Sequence, residues 1–227
     1  MKPTKVAAIG FDLDYTLWDQ DAFMSSFIQA TAQDLADRFA LERGRVIGVF
    51  VGALVRLTMH HPRLFGMALA DLGVGDPDVE RELVERYRRH RPPLHPYPGT
   101  QKVLGWLRDA GFRLFLVTDG NPSTQRYKVA ALGLEPWFDA MVFTDELSGN
   151  HPKPSPVPFA LAASRLGVAP EECVYVGDDP SRDFQGARQL GIRTIGVATG
   201  PFAGLAVAPD MLPDQRIDRL EHLRGVL

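Results

Sequence analysis

"VAAIGFDLDYT" occupies residues 6–16, and its reading decides the fold. The first six residues are apolar without interruption. Such a run, as opposed to an alternation, suits a parallel strand covered on both faces. The run stops at Asp12 and Asp14, two acids separated by one residue. One aspartate would supply the turn chemistry that a strand end needs. The second calls for another use.

Runs of the same kind recur further along, at "RLFLVTDG" (113–120), "DAMVFTDE" (139–146), "CVYVGDD" (173–179) and "RTIGVATG" (193–200). Helical patterns separate the later ones, over 99–110, 122–132, 156–166 and 182–190. Several of these close on glycine, which a helix C-terminus prefers. Alternating strands and helices predict a doubly wound α/β fold, a parallel sheet with a Rossmann-like core. Ligand sites in such sheets lie beyond the carboxyl ends of the strands, where Asp12, Asp14, Thr118 and Asp178 all fall.

One interval breaks the alternation. From about residue 18 to residue 95 no strand pattern appears. Phe23, Phe27, Thr31, Leu35 and Phe39 recur at helical spacing, and three more helical stretches follow near 43–58, 62–72 and 78–91. "RPPLHPYPG" (91–99) then ends the helical pattern. The expected organisation is an α/β core formed by residues 1–16 and 96–227. Residues 17–95 are expected to form an inserted helical-bundle cap that covers the site.

Composition sets outer bounds. The 227 residues are 45% hydrophobic and 23% charged, an ordinary globular balance. A net charge of -3 gives no global attraction to nucleic acid or acidic lipid. No apolar run approaches the roughly 20 residues needed to span a bilayer. The opening "MKPTKVAAIGFDLD" is basic and then apolar, but the run is short and ends in acid, so it reads as a strand and not an export signal. Cys173 is the single cysteine, which excludes an internal disulfide and a thiolate metal cage. A reducing cytoplasm is the expected location, and a monomer or homodimer the expected state.

Four carboxylates, Asp12, Asp14, Asp178 and Asp183, are expected in a small space. Two unit charges about 4 Å apart repel by about 4 kcal/mol at an effective dielectric near 20. A cation is therefore needed, and hard oxygen ligands favour Mg²⁺. Lys153 and Thr118 add a cation and a hydroxyl donor suited to phosphate oxygens. Phosphoryl transfer needs this combination of nucleophile, charge neutralisation and proton donor.

At this point the chain resembles the haloacid dehalogenase-like hydrolase superfamily. "DLDYT" (12–16), Thr118 in "LVTDG", Lys153 in "HPKPSP" and "GDDPSRD" (177–183) occur in that superfamily's order and settings, and the helical insert is similar to its small cap. The resemblance implies that Asp12 is a nucleophile forming an aspartyl-phosphate and that Asp14 is the general acid and then base. It implies Mg²⁺ held by Asp12, the Asp14 backbone carbonyl and Asp178. Thr118 and Lys153 would hold the phosphoryl oxygens, with Thr16 and Asp183 in support. Members that cleave carbon–halogen bonds lack an aspartate at the position of Asp14, so its presence favours a small-molecule phosphate ester. A phosphomutase keeps both aspartates, and a binding protein on this fold that has lost catalysis is a further alternative. A receiver-type signalling domain also gathers aspartates, a threonine and a lysine, but it is shorter and has no such insert.

Other features read more plainly. Asp12 and Asp14 could end a strand and cap a helix, "TDGN" (118–121) could be only a turn, and Lys153 a solvated loop lysine. Asp119 stands where asparagine or serine is common in relatives, and Asp179 has no assigned role. His60 and His61 lack a third metal ligand at useful spacing. The basic run "RYRRHR" (86–91) reads as a solvated helix end. Cys173 reads as a small buried hydrophobe, and Trp18 could line the pocket or pack a hinge.

Overall fold

The computed structural model describes residues 5–57, 61, 63–149 and 151–227. His60 lies outside them. The described chain divides into two compact units, Met1–Gln20 with Pro93–Leu227, and Asp21–Pro92. These bounds differ from the sequence reading by four residues at the first crossing and three at the second, because the turn after the first strand stays with the sheet.

The larger unit is built on one six-stranded parallel sheet. Its strands are β1 (Ala8–Phe11), β2 (Arg113–Thr118), β3 (Ala140–Phe143), β4 (Cys173–Gly177), β5 (Arg193–Val197) and β6 (Gln215–Ile217), in the order β3-β2-β1-β4-β5-β6. The order runs outward in both directions from the middle, so it reverses between β1 and β4. That reversal is where an open α/β sheet leaves a crevice at its carboxyl edge. Strands β1 and β4 are buried throughout, which is why their sequences are apolar without alternation. β6 went unseen in the sequence reading. It is three residues long, with only Ile217 buried, and so carries no apolar run.

The helices of this unit follow the expected pattern with shorter ends: α5 (Thr100–Asp109), α6 (Pro122–Ala131), α7 (Val157–Leu166) and α8 (Gln185–Gln189). Asn121 caps α6 by accepting from the Thr124 N–H at 3.3 Å, with Pro122 at the first helical position. The expected 182–190 helix shrinks to five residues because 178–184 is taken up by a hydrogen-bonded turn. Cys173 is buried, and burial pushes its thiol up to about 11, as a small core hydrophobe requires.

The smaller unit holds α2 (Arg43–Leu57), α3 (Leu64–Asp71), α4 (Pro77–Arg89) and nearly all of α1 (Gln20–Phe39). The four-residue stripe turns inward: Phe23, Phe27, Thr31 and Leu35 are buried, and Phe39 packs at the margin. Phe27 meets Phe65, Tyr87 and His90 at ring separations of 5.5, 5.4 and 5.7 Å. Much of the basic run on α4 is matched by acids of the same unit. Arg86 pairs with Asp34, and Arg88 lies 2.6 Å from Glu85. No helix among the described residues is long and apolar enough to cross a membrane.

Candidate active site

The ladder of β1 ends at Phe11, although the Asp12 N–H still reaches the Val176 carbonyl at 2.9 Å. The chain then turns sharply. Tyr15 adopts a left-handed conformation, φ 59, a costly one for a bulky residue. Its carbonyl accepts from Thr199 Oγ1, and its ring stacks edge-on with Phe202 at 5.9 Å. Thr16, fully buried, donates to Asp178 Oδ1 at 3.2 Å and so ties this turn to the end of β4. The turn sends Asp12 and Asp14 to different partners.

Asp12 joins a buried cluster. Its Oδ1 lies 2.5 Å from Lys153 Nζ, and the same ammonium donates to Asp183 Oδ1 at 2.7 Å. Asp183 Oδ2 accepts from the Asp179 N–H at 2.9 Å. Asp183 fits here because Gly177 has no side chain; a Cβ there would overlap its carboxylate. Among the described residues, Asp12, Asp178 and Asp183 each offer an oxygen within 4.8 Å of the others.

The electrostatics of this cluster are unbalanced. Burial, with Asp183 and Asp14 adding to it against the pull of Lys153, pushes Asp12 up to about 8. Burial, then Asp183 and Asp12, push Asp178 up to about 10. Burial also raises Asp183, with Lys153 opposing. Burial disfavours the Lys153 ammonium, but Asp12 and Asp183 outweigh it and hold the group well above the usual lysine range. One ammonium does not neutralise three carboxylates. Asp178 Oδ2, moreover, is buried with no hydrogen-bond partner among the described residues. Gly200 closes against this oxygen so tightly that a Cβ would overlap it. An orphaned carboxylate oxygen within a set of hard oxygen donors fits a metal cation.

Asp14 faces the other way. Lys128 Nζ donates to its two oxygens at 3.0 and 2.8 Å. Trp18 Nε1 donates to Oδ1 at 2.9 Å, and Gln125 Nε2 to Oδ2 at 3.1 Å. Gln125 also donates to Thr118 Oγ1 at 2.7 Å, linking the end of β2 to Asp14. Lys128 is 2% exposed and lies 5.5 Å from the centre of the Trp18 ring. Burial lowers its ammonium, with Asp14 working in the opposite direction.

Asp119 and Asp179, without a role in the sequence reading, organise the loops. Asp119 Oδ1 accepts from Thr144 Oγ1 at 2.8 Å and from the Lys153 N–H at 3.1 Å, and Oδ2 accepts from Arg182 at 2.8 Å. Asp179 Oδ1 accepts from the Ser181 N–H and hydroxyl at 2.9 and 2.6 Å. Lys128, Gln125 and Arg182 were missed altogether. A signal for the first two did exist: the inward face of α6 carries Thr124, Gln125 and Lys128 ahead of Val129, so its first half is polar where a core face should be apolar.

The cluster thus joins Asp12, Lys153, Asp178 and Asp183, with Thr16 bonded to it, while Thr118 joins Asp14 through Gln125. Fold and site define an α/β protein that gathers buried carboxylates and a lysine at the carboxyl edge of a parallel sheet. A family model for haloacid dehalogenase-like hydrolases matches residues 6–191. A glyceraldehyde 3-phosphate phosphatase of Methanopyrus kandleri is 33% identical over 234 residues, covering 98% of this chain and 97% of that protein. The crystal structure of a HAD phosphatase from Thermococcus onnurineus is 27% identical and superposes with a TM-score of 0.69, with 97% of each chain covered. The structure of a 2-haloacid dehalogenase from Pseudomonas syringae pv. Tomato is 29% identical with a TM-score of 0.64, again over 97% of each chain. The chain belongs to the haloacid dehalogenase-like hydrolases. It is an enzyme of that hydrolase family.

Proposed function

We propose that the protein is a Mg²⁺-dependent phosphatase acting on a small phosphorylated metabolite through an aspartyl-phosphate on Asp12. The observation that carries this reading is the divergence of the two aspartates: Asp12 sits with Lys153 in the carboxylate cluster, whereas Asp14 stands apart among donors. Asp12 attacks phosphorus while the bond to the leaving alkoxide breaks, and Asp14 delivers the proton that the alkoxide takes. Water then attacks the aspartyl-phosphate, its proton passing to Asp14, and inorganic phosphate leaves. Thr118 and Lys153 hold the phosphoryl oxygens, and Asp183 orients Lys153. Asp12, Asp178 and the Asp14 carbonyl would hold Mg²⁺, which supplies charge neutralisation at the transferring group. The inserted helical unit, which leaves the chain just after Asp14 and Thr16, acts as a cap that admits substrate and excludes bulk water.

A carbon–halogen bond breaks without a proton for its leaving halide, so a dehalogenase has no use for a carboxylate at Asp14. Phosphatase relatives such as the Methanopyrus kandleri protein support the ester reading. The test is phosphate release from a panel of glyceraldehyde 3-phosphate, phosphoglycolate, nucleoside monophosphates and sugar phosphates, with and without Mg²⁺, using Asp12→Asn as control. Metal-dependent release that vanishes in Asp12→Asn is expected. Release that persists in the variant overturns the mechanism, and transfer to a second hydroxyl with no free phosphate shows a mutase.

A further inference from the structure

Asp14 is gripped by more donors than a solvent-facing acid needs. Lys128 spans both oxygens at 3.0 and 2.8 Å, Trp18 reaches Oδ1 at 2.9 Å, and Gln125 reaches Oδ2 at 3.1 Å. The donors come from two places, the turn after β1 and the inward face of α6. Lys128 and Gln125 sit three residues apart and so share that face. Lys128 is itself buried, so an ammonium has been taken out of water, and it pairs with the Asp14 carboxylate at 2.8 Å. Burying a charge is costly unless it is closely paired. Two-point contact with a carboxylate fixes its plane as well as its place, and Trp18 and Gln125 hold the two oxygens from opposite ends.

We infer that Lys128, assisted by Trp18 and Gln125, is a positioning residue that sets the direction in which the Asp14 carboxylate points, and hence its reach to the leaving-group oxygen. This rests on the proposed role of Asp14 as general acid. Lys128 acts through Asp14. Gln125 couples the same device to phosphate binding, because its amide also holds Thr118 Oγ1 at 2.7 Å. The order of donors along the chain has a simple consequence: α6 must dock on the sheet before the acid is aimed.

A misaimed acid slows alcohol release only where the leaving group needs its proton, and the water attack that follows, common to both substrates, does not enter kcat/KM. The alcohol of an alkyl phosphate is a poor leaving group without protonation, whereas p-nitrophenolate departs unaided. The experiment compares kcat/KM for p-nitrophenyl phosphate and for whichever of glyceraldehyde 3-phosphate and phosphoglycolate the wild-type protein turns over faster. The variants are Lys128→Met, Trp18→Phe, Asp14→Asn and the Lys128→Met/Asp14→Asn pair. Lys128→Met is expected to lower the alkyl value on the order of a hundredfold and the aryl value less than about threefold. Trp18→Phe, which removes one N–H and keeps an aromatic ring, shows the same selectivity on a smaller scale. In the Asp14→Asn background Lys128→Met has no further effect on the alkyl substrate, since its target is gone. Equal losses on both substrates, or an undiminished loss in that background, overturn the inference and leave the phosphatase reading standing. Wild-type protein that releases no phosphate from any of these esters overturns both. If Lys128→Met does not fold, Trp18→Phe decides by the same comparison.

Discussion

Asp119 accepts a hydrogen bond from Arg182 at 2.8 Å, and this contact ties the turn after β2 to the turn after β4. The other oxygen of Asp119 holds Thr144 and the backbone N–H of Lys153, so one carboxylate fixes three loops around the cluster. Asp119→Ala leaves these donors without their acceptor. The expected cost is about 2 kcal/mol of stability, since charge-assisted bonds are lost. Loosening of Lys153 should lower kcat/KM about tenfold. Asp119→Asn, which keeps an acceptor oxygen, should lose less on both counts. Urea unfolding and steady-state kinetics on the two variants check this.

Asp12→Asn should separate catalysis from folding. Turnover is expected to fall more than about a thousandfold, because an amide is a poor nucleophile. Stability should change by less than about 1 kcal/mol, since Lys153 keeps Asp183 as a partner at 2.7 Å and the amide is nearly isosteric with the carboxyl it replaces. A large drop in the unfolding midpoint would show that the Asp12–Lys153 pair is structural.

Without metal, stability should depend on pH in an unusual direction. Asp12 is pushed up to about 8 and Asp178 to about 10 in the folded protein, from an ordinary value of 3.8. Above that value the folded state keeps protons that the unfolded chain releases, so stability falls as pH rises through the folded values. The melting temperature in EDTA should therefore drop steadily from pH 5 to pH 9. Mg²⁺ binds the ionised carboxylates and should restore stability most at the alkaline end. Melting curves at several pH values with and without Mg²⁺ test both parts; a flat EDTA profile contradicts the burial argument.

Gly200→Ala should damage the proposed metal site without replacing any of its carboxylates. A Cβ there would overlap Asp178 Oδ2 and crowd Tyr15 Cβ. Displacing that carboxylate should weaken Mg²⁺ binding about tenfold. The Mg²⁺ concentration giving half-maximal activity, or half-maximal thermal stabilisation, measures the shift.

Much of this molecule was legible along the chain. Uninterrupted apolar runs gave β1 to β5, because strands covered on both faces have no polar side to show. The four-residue stripe gave α1, because a helix must bury one face. Asp12, Asp14, Asp178 and Asp183 were expected together, because parallel strands deliver their ends to one edge; three of them share the cluster, and Asp14 pairs with Lys128 instead. Edge strand β6 escaped, since three residues with one buried side chain leave no pattern.

What the chain order could not decide is which side chain meets which. That Asp14 turns from the cluster towards Lys128, 114 residues away, depends on the left-handed turn at Tyr15 and on the docking of α6. That Asp119 reaches Arg182 depends on two loops meeting above the sheet. Local sequence fixes periodicity and turn chemistry, because those arise between neighbours in the chain. The pairing of buried charges is settled only when distant segments pack, because only then is water excluded and each charge left to find its partner within a few ångströms.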